Sequence, residues 1–229
     1  MENNGDSLLS KSVGEIASEN PEKIGIFKKY GIDFCCGGSK SLKDACEEYG
    51  IDGMLIIEEL NKACNLEADD EKNFSLSKKV NDWNVNFLID YIINIHHTFL
   101  RIHIPEASEY VEKIANVHSN RHPELIKIKE LYTKMSEALI LHLDKEEKFL
   151  ADIKTGNSSD TKKEIGDAVY YHEYVGHILK EMNFLSSGYS IPPDACASYK
   201  HAYELLREVS DDIMIHVHLE NNVLFKKIG

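Results

Sequence analysis

The sequence predicts an all-α protein, with a small N-terminal helical domain followed by an up-down-up-down four-helix bundle. Apolar residues recur at helical spacing over most of the chain, for example Ile213, Val217 and Leu224. Helix-start signals recur as well, and the alternation of apolar and polar residues that is typical of strands is almost absent. Several helices joined by short connections favour a bundle.

The first domain is expected to span residues 1–65. Ser12 and Glu15 form a capping-box pattern, and Pro21 suits the first turn of a second helix, which Gly31 ends. Residues 32–40 are predicted to form a loop, with short helices after it. Residues 66–79 are acidic and then mixed polar with little periodicity, so they are interpreted as a linker.

The second domain is expected to span residues 80–229. Pro123 and the stretch 155–160 mark connections between long helical patterns, as does the stretch around Pro192 and Pro193. The predicted helices are A (about 81–117), B (about 123–153), C (161–185) and D (to about 227).

Composition excludes several classes of partner. The chain of 229 residues carries 26 Lys and Arg against 39 Asp and Glu, a formal net charge of −13, which disfavours nucleic acid and anionic membranes. No apolar run approaches the length of a membrane span, and the first residues lack a signal-peptide pattern, so a cytoplasmic protein is expected. The five cysteines show no C-x-x-C spacing, which favours reduced thiols.

An H-x-x-x-E pair interrupts an apolar helical stripe twice. His142 and Glu146 lie in helix B, and His216 and Glu220 lie in helix D. A buried carboxylate costs several kcal/mol unless it is paired or bound to a metal. A single copy is typical of a core histidine or an exposed pair, but two copies of the same arrangement favour a metal site.

Helices A and C offer further histidines. In helix C, His172 shares its stripe with apolar residues and is a candidate ligand, whereas His177 shares its face with polar residues and is expected to be solvated. In helix A, His96 and His97 lie in a run too apolar for periodicity to choose between them. The level of His97 differs from that of His142 by about 3 Å along the helix axis, so either histidine of helix A could reach that level.

Four histidines and two glutamates are more ligands than one metal ion would coordinate in this arrangement. Two metals bridged by two carboxylates can use all six, and imidazole with carboxylate suits iron as well as manganese or zinc. The spacing differs from the E-x-x-H pairs of ferritin-like sites and is richer in nitrogen. This composition favours a di-iron centre.

The chain also resembles the bacterial repair-of-iron-centres di-iron proteins, which join a short ScdA-type domain to a hemerythrin-like bundle. The resemblance covers nearly the whole chain from about Ser12. The stretches that carry it are GIDFCCGG at 31–38, HHTFLRIHIPE at 96–106, HLDKEE at 142–147, HEYVGH at 172–177 and HVHLENNVLF at 216–225.

The resemblance implies a ligand set and selects His97 over His96. It implies two non-haem iron ions with an oxo or hydroxo bridge and with the two glutamates as bridging carboxylates. The implied ligands are His97, His142, Glu146, His172, His216 and Glu220. Some family members carry additional carboxylates near the site where this chain has Ala138 and Tyr171, which puts a carboxylate proton route in doubt.

The resemblance also implies a function. A protein of this family would repair iron-sulfur clusters damaged by nitrosative or oxidative stress, by iron donation, by nitric oxide binding and reduction, or by both. Its partners would be the damaged iron-sulfur proteins, with nitric oxide or oxygen as small ligands, and formation of a homodimer is left open. The alternative is a hemerythrin-like oxygen or nitric oxide carrier or sensor without turnover, which would need no thiol pair.

Cys35 and Cys36 are candidate reactive thiols. They lie in a glycine-flanked loop just before a predicted helix start at Ser41, and a helix N-terminus lowers the pKa of a nearby thiol. Free cysteines are also commonly small buried apolar residues, and the residues alone leave both interpretations open. The resemblance favours the functional one, because CCGG is the mark of the N-terminal domain.

Overall fold

All of the regular structure is helical in the computed structural model, which describes residues 4–65, 80–157 and 160–229. Within these ranges the only extended pairing is an isolated bridge between Ser12 and Ser41. The all-α prediction is therefore confirmed. The predicted linker, residues 66–79, lies outside the described residues.

Five short helices lie in the described part of the N-terminal region, residues 4–65. Ser12 accepts a hydrogen bond from the Glu15 backbone in the predicted capping box, and Gly31 and Gly50 end helices in the left-handed conformation. A 3-10 turn, Pro21–Lys23, precedes the third helix. The helices are α1 (Asn4–Ser10), α2 (Val13–Glu19), α3 (Ile24–Tyr30), α4 (Leu42–Tyr49) and α5 (Gly53–Asn65).

Four long helical segments follow, close to the predicted bounds. Two of them contain a π-helical stretch, called here the first π segment and the second π segment. In order they are α6 (Val85–Tyr91), the first π segment (Ile92–His97) and α7 (Thr98–His118), then α8 (Glu124–Thr155), then α9 (Thr161–Leu185), and then α10 (Ala197–Leu219), the second π segment (Glu220–Leu224) and α11 (Phe225–Ile228).

The chain packs into two compact units that do not follow its linear order. The smaller unit contains the described part of Met1–Leu88 together with Val217–Ile228, and the larger unit contains Ile89–His216. The second π segment joins the smaller unit because its side chains are bonded to the CCGG loop: the amide of Asn222 donates to the carbonyl oxygen of Phe34 at 3.3 Å. The sequence boundary between the domains stays a prediction.

The larger unit is a helical bundle. Helix α7 packs against α8 and α8 against α9, and α10 contacts α7 through Tyr110 and His201, whose ring centroids are 4.5 Å apart. Leu139, Leu143 and Val175 are buried in its core, so the apolar stripes face inward as the periodicity predicts. In the part of the chain that the structure describes, no helix is both long and apolar enough to cross a membrane.

Candidate metal centre

The carboxylate of Glu146 lies at the centre of the candidate site. Its side chain is 1% exposed, and neither oxygen accepts a well-formed hydrogen bond from the described residues. Three imidazole nitrogens nevertheless surround Oε2: Nε2 of His142 at 3.3 Å, of His97 at 3.6 Å and of His216 at 3.7 Å. Such convergence of nitrogen and oxygen donors in a dry core is typical of a metal site.

Two pairs of histidines flank this carboxylate. The Nε2 atoms of His97 and His216 are 3.1 Å apart, and those of His142 and His172 are 3.2 Å apart. Two metal–nitrogen bonds of about 2.1 Å at a right angle would place their nitrogens about 3.0 Å apart. Each pair therefore has the spacing of two ligands to one ion, and the residues fit a metal centre.

The electrostatics also favour a cation. Burial alone raises the pKa of Glu146, but the imidazoles of His142 and His216 outweigh burial and hold that pKa well below its usual range. The carboxylate is thus ionised in a buried position. A bound cation compensates such a charge, which explains why four histidines face one glutamate.

The first π segment separates the roles of the two adjacent histidines in helix A. A π turn holds one residue more than an α turn, so His96 and His97 are both buried. His96 Nδ1 is bonded to Asp212 Oδ1 at 2.8 Å, whereas His97 Nε2 faces His216. The structure thus brings five predicted ligands together in the larger unit: His97, His142, Glu146, His172 and His216.

We expect His97→Gln to lose most of its bound metal, because it removes one nitrogen of a ligand pair. His96→Gln is the matched control, since it changes an equally buried neighbour whose Nδ1 bonds to Asp212. Metal analysis of the purified variants measures the difference. Equal metal content in the two variants would contradict the role given to His97.

A salt-bridged carboxylate orients His97, and sequence reasoning missed it. His97 Nδ1 is 3.1 Å from Glu147 Oε1, and Arg101 donates to the same oxygen at 3.0 Å. Donation from Nδ1–H to a carboxylate leaves Nε2 free of a proton and fixes the ring orientation. Glu147 is half-exposed on α8, so periodicity alone classifies it as a surface residue.

A cavity of about 470 Å³ reaches this cluster between α8 and α9. Ala138 and Tyr171, which stand where some family members carry carboxylates, line it together with His142 and Glu146. The ring of Tyr171 stacks on the imidazole of His142 with centroids 4.1 Å apart. Burial raises the pKa of Tyr171, so the phenol stays protonated.

Glu220, the sixth predicted ligand, begins the second π segment one turn beyond His216. Its side chain is completely buried. Because it groups with the smaller unit, its part in the metal centre stays a prediction. His177, which the sequence analysis placed in solvent, is exposed.

The structure corrects one expectation about the thiol pair. The pKa of Cys35 is raised well above its usual range by the neighbouring Cys36 thiol, by burial and by the Asp33 carboxylate, rather than lowered by a helix N-terminus. Cys35 is 7% exposed, while Cys36 is more accessible. The reactivity of the pair stays a prediction, and Cys36 is the thiol that solvent reaches.

We expect an alkylating reagent to modify Cys36 before Cys35 and Cys46. The reason is access, since Cys35 and Cys46 are both buried and burial raises the pKa of Cys46 as well. Peptide mass mapping over a time course measures the order. Modification of Cys46 at the rate of Cys36 would contradict it.

Comparisons with known proteins cover both parts of the chain. Residues 9–64 match the model ScdA_N, described as a domain of unknown function, and residues 88–228 match the hemerythrin HHE cation binding domain. An iron-sulfur cluster repair protein, ScdA, of Staphylococcus epidermidis is 34% identical over 95% of this chain and 97% of its own length.

Two relatives from other bacteria are similar to this chain over the same range. A probable iron-sulfur cluster repair protein of Haemophilus influenzae is 31% identical over 97% of this chain and 98% of its own length. The iron-sulfur cluster repair protein YtfE of Escherichia coli O8 is 32% identical over 94% of each chain. The similarity thus extends over both the thiol loop and the histidine cluster.

Proposed function

Because the chain belongs to the family of iron-sulfur cluster repair proteins, which join an ScdA N-terminal domain to a hemerythrin HHE cation binding domain, we propose that it binds two non-haem iron ions and helps to restore damaged iron-sulfur clusters. The observation that carries the proposal is the ionised, buried carboxylate of Glu146 between two histidine pairs. Its partners would be iron-sulfur proteins damaged by nitric oxide or oxidants in the cytoplasm.

Each histidine pair would hold one ion. His97 with His216 would bind the first, and His142 with His172 would bind the second. Glu146 would bridge the two, and Glu220 would supply the second bridging carboxylate. When bound, iron in such a centre supplies open coordination positions for a small ligand such as nitric oxide.

Iron donation and nitric oxide reduction make different demands on the residues around the cluster. Reduction consumes protons, and a protein delivers them best from a group whose pKa lies near the working pH. In the cavity, Ala138 has no ionisable group and Tyr171 has a raised pKa, but the carboxyl groups of Glu164 and Asp167 also line it. The same cavity is lined by His142 and Glu146, so it gives an ion or a small ligand access to the cluster, and both roles are kept in the proposal.

Repair is tested with an iron-sulfur dehydratase inactivated by nitric oxide. The iron-loaded protein is expected to restore its activity, and the metal-free protein is expected not to. His142→Ala, shown by metal analysis to lack iron, should behave like the metal-free protein, while His177→Ala should behave like the unmodified protein. An equal concentration of free ferrous iron measures the background.

Two outcomes would count against the proposal. Restoration by iron-free His142→Ala at the rate of the unmodified protein would make the metal irrelevant to repair. Restoration by free iron at the same rate as by the loaded protein would remove any role for the protein. The alternative function is that of an oxygen carrier or sensor without turnover. Such a function would not require the ScdA N-terminal domain.

A further inference from the structure

A second group of metal-binding side chains lies in the CCGG loop of the smaller unit. Asp33, Cys35 and Cys36 each offer one ligand atom, and these atoms lie within 4.8 Å of one another. Cys35 Sγ is 3.3 Å from Asp33 Oδ1 and 3.9 Å from Cys36 Sγ. We propose that these three residues form a binding site for a thiophilic divalent cation such as Zn²⁺ or Fe²⁺.

The distances match what one tetrahedral ion requires. Metal–sulfur bonds of about 2.3 Å and a metal–oxygen bond of about 2.1 Å, at tetrahedral angles, give a sulfur–sulfur distance of about 3.8 Å and a sulfur–oxygen distance of about 3.6 Å. A disulfide between Cys35 and Cys36 would instead need its sulfurs about 2.05 Å apart. The loop therefore has the spacing of ligands to one ion.

The loop holds the carboxylate in place before any ion binds. Asp33 Oδ1 accepts hydrogen bonds from the backbone N–H groups of Cys35 at 3.1 Å and Cys36 at 3.0 Å. At Gly37 a Cβ atom would lie 3.1 Å from the carbonyl oxygen of Asp33 and 3.2 Å from its Cβ. Gly37 has no Cβ, so it leaves space for Asp33, whose side chain folds back onto the loop backbone.

Buried side chains of the second π segment and of the last turn of α10 also hold the CCGG loop in place. The amide of Asn222 donates to the carbonyl oxygen of Cys35 at 3.0 Å, and His218 Nδ1 donates to that of Phe34 at 3.2 Å. Ligands held this way lose little freedom on binding an ion.

The chemistry of the three ligands selects the kind of ion. Thiolates favour zinc, iron and other thiophilic metals over magnesium or calcium, and one carboxylate with two thiolates offsets a divalent charge. A thiol must lose its proton to bind a metal, so binding of an ion releases protons. Three protein ligands leave a fourth position for water or for a thiol of another protein.

The site is tested with Cd²⁺, whose thiolate complexes absorb in the ultraviolet while histidine and carboxylate complexes do not. The full chain is used, reduced and metal-free, with Cys46, Cys64 and Cys196 replaced by Ala. Because the histidine cluster also takes up Cd²⁺, the ion is added in excess, and we expect the absorption to reach a plateau that corresponds to one thiolate-bound ion per chain. Further replacement by Cys35→Ser and Cys36→Ser should abolish it.

Two further variants separate this site from the histidine cluster and from loop folding. Glu146→Gln should leave the absorption unchanged, because only Asp33, Cys35 and Cys36 are proposed as ligands of this ion. Asp33→Asn should weaken Cd²⁺ binding by about 10-fold or more, since replacing even an outer partner of a ligand costs that much. Asp52→Asn is the matched control, because Asp52 also accepts a backbone N–H, from Met54 at 2.9 Å.

Three results would overturn the inference. They are the absence of thiolate absorption when Cys35 and Cys36 are the only cysteines, its persistence in the double serine variant, and equal Cd²⁺ affinity in Asp33→Asn and Asp52→Asn. Circular dichroism of each variant shows whether it is folded. Repair of a damaged enzyme is a separate measurement, so the failure of either proposal leaves the other standing.

Discussion

Glu146→Gln is expected to lower the iron content from the proposed two ions per chain to about one or fewer. The carboxylate lies beside three of the four histidine nitrogens, and the variant replaces its negative charge by a neutral amide. Loss of a residue that only supports a ligand reduces metal affinity about 10–100-fold, and a shared ligand should matter at least as much. Metal analysis and the absorption spectrum of the purified variant measure the effect.

Glu137→Gln is the matched control for this experiment. Glu137 lies on the same helix, α8, but is exposed, so its replacement should leave the iron content unchanged. Full iron loading in Glu146→Gln would show that the buried carboxylate is not a ligand. Loss of iron in Glu137→Gln would show that the measurement reports damage to α8 instead.

Gly14→Ala is expected to reduce the free energy of unfolding by about 1–3 kcal/mol, the usual cost of overpacking a tight interior. A Cβ atom at position 14 would lie 2.4 Å from Asn222 Oδ1 and 2.9 Å from the carbonyl oxygen of Gly38. The Gly14 N–H also donates to that carbonyl at 2.8 Å, and the Asn222 amide donates to the Cys35 carbonyl oxygen at 3.0 Å. Neither neighbour can therefore move without disturbing a hydrogen bond. Chemical denaturation followed by circular dichroism measures the change.

Gly25→Ala is the control for backbone and propensity effects. Gly25 is an exposed residue of α3, and no atom lies within 4 Å of a Cβ built there. This replacement should be neutral or stabilising by up to about 1 kcal/mol, because alanine restricts the unfolded chain more than glycine does. A loss of stability as large as that of Gly14→Ala would refute the packing explanation.

Local pattern was enough to predict the helices and most of the histidine cluster. The H-x-x-x-E spacing puts His142 and Glu146 on one helical face, and the same periodicity identifies His172 as an inward residue. Capping signals such as Ser12 with Glu15 act within one turn, so they are readable without the fold. These features depend on residues three or four positions apart, which the chain itself places together.

Tertiary packing determined the features of the site that depend on residues far apart in the sequence. His96 and His97 are both buried in a π turn, and the hydrogen-bond partner of His96, Asp212, lies on another helix. The high pKa of Cys35 arises from burial and folded-loop contacts, which reverse the expectation from a helix N-terminus. The sequence by itself thus determined the all-α class and the residue types at the site, whereas long-range contacts decided the role of each side chain, because burial and hydrogen bonding are properties of the folded chain.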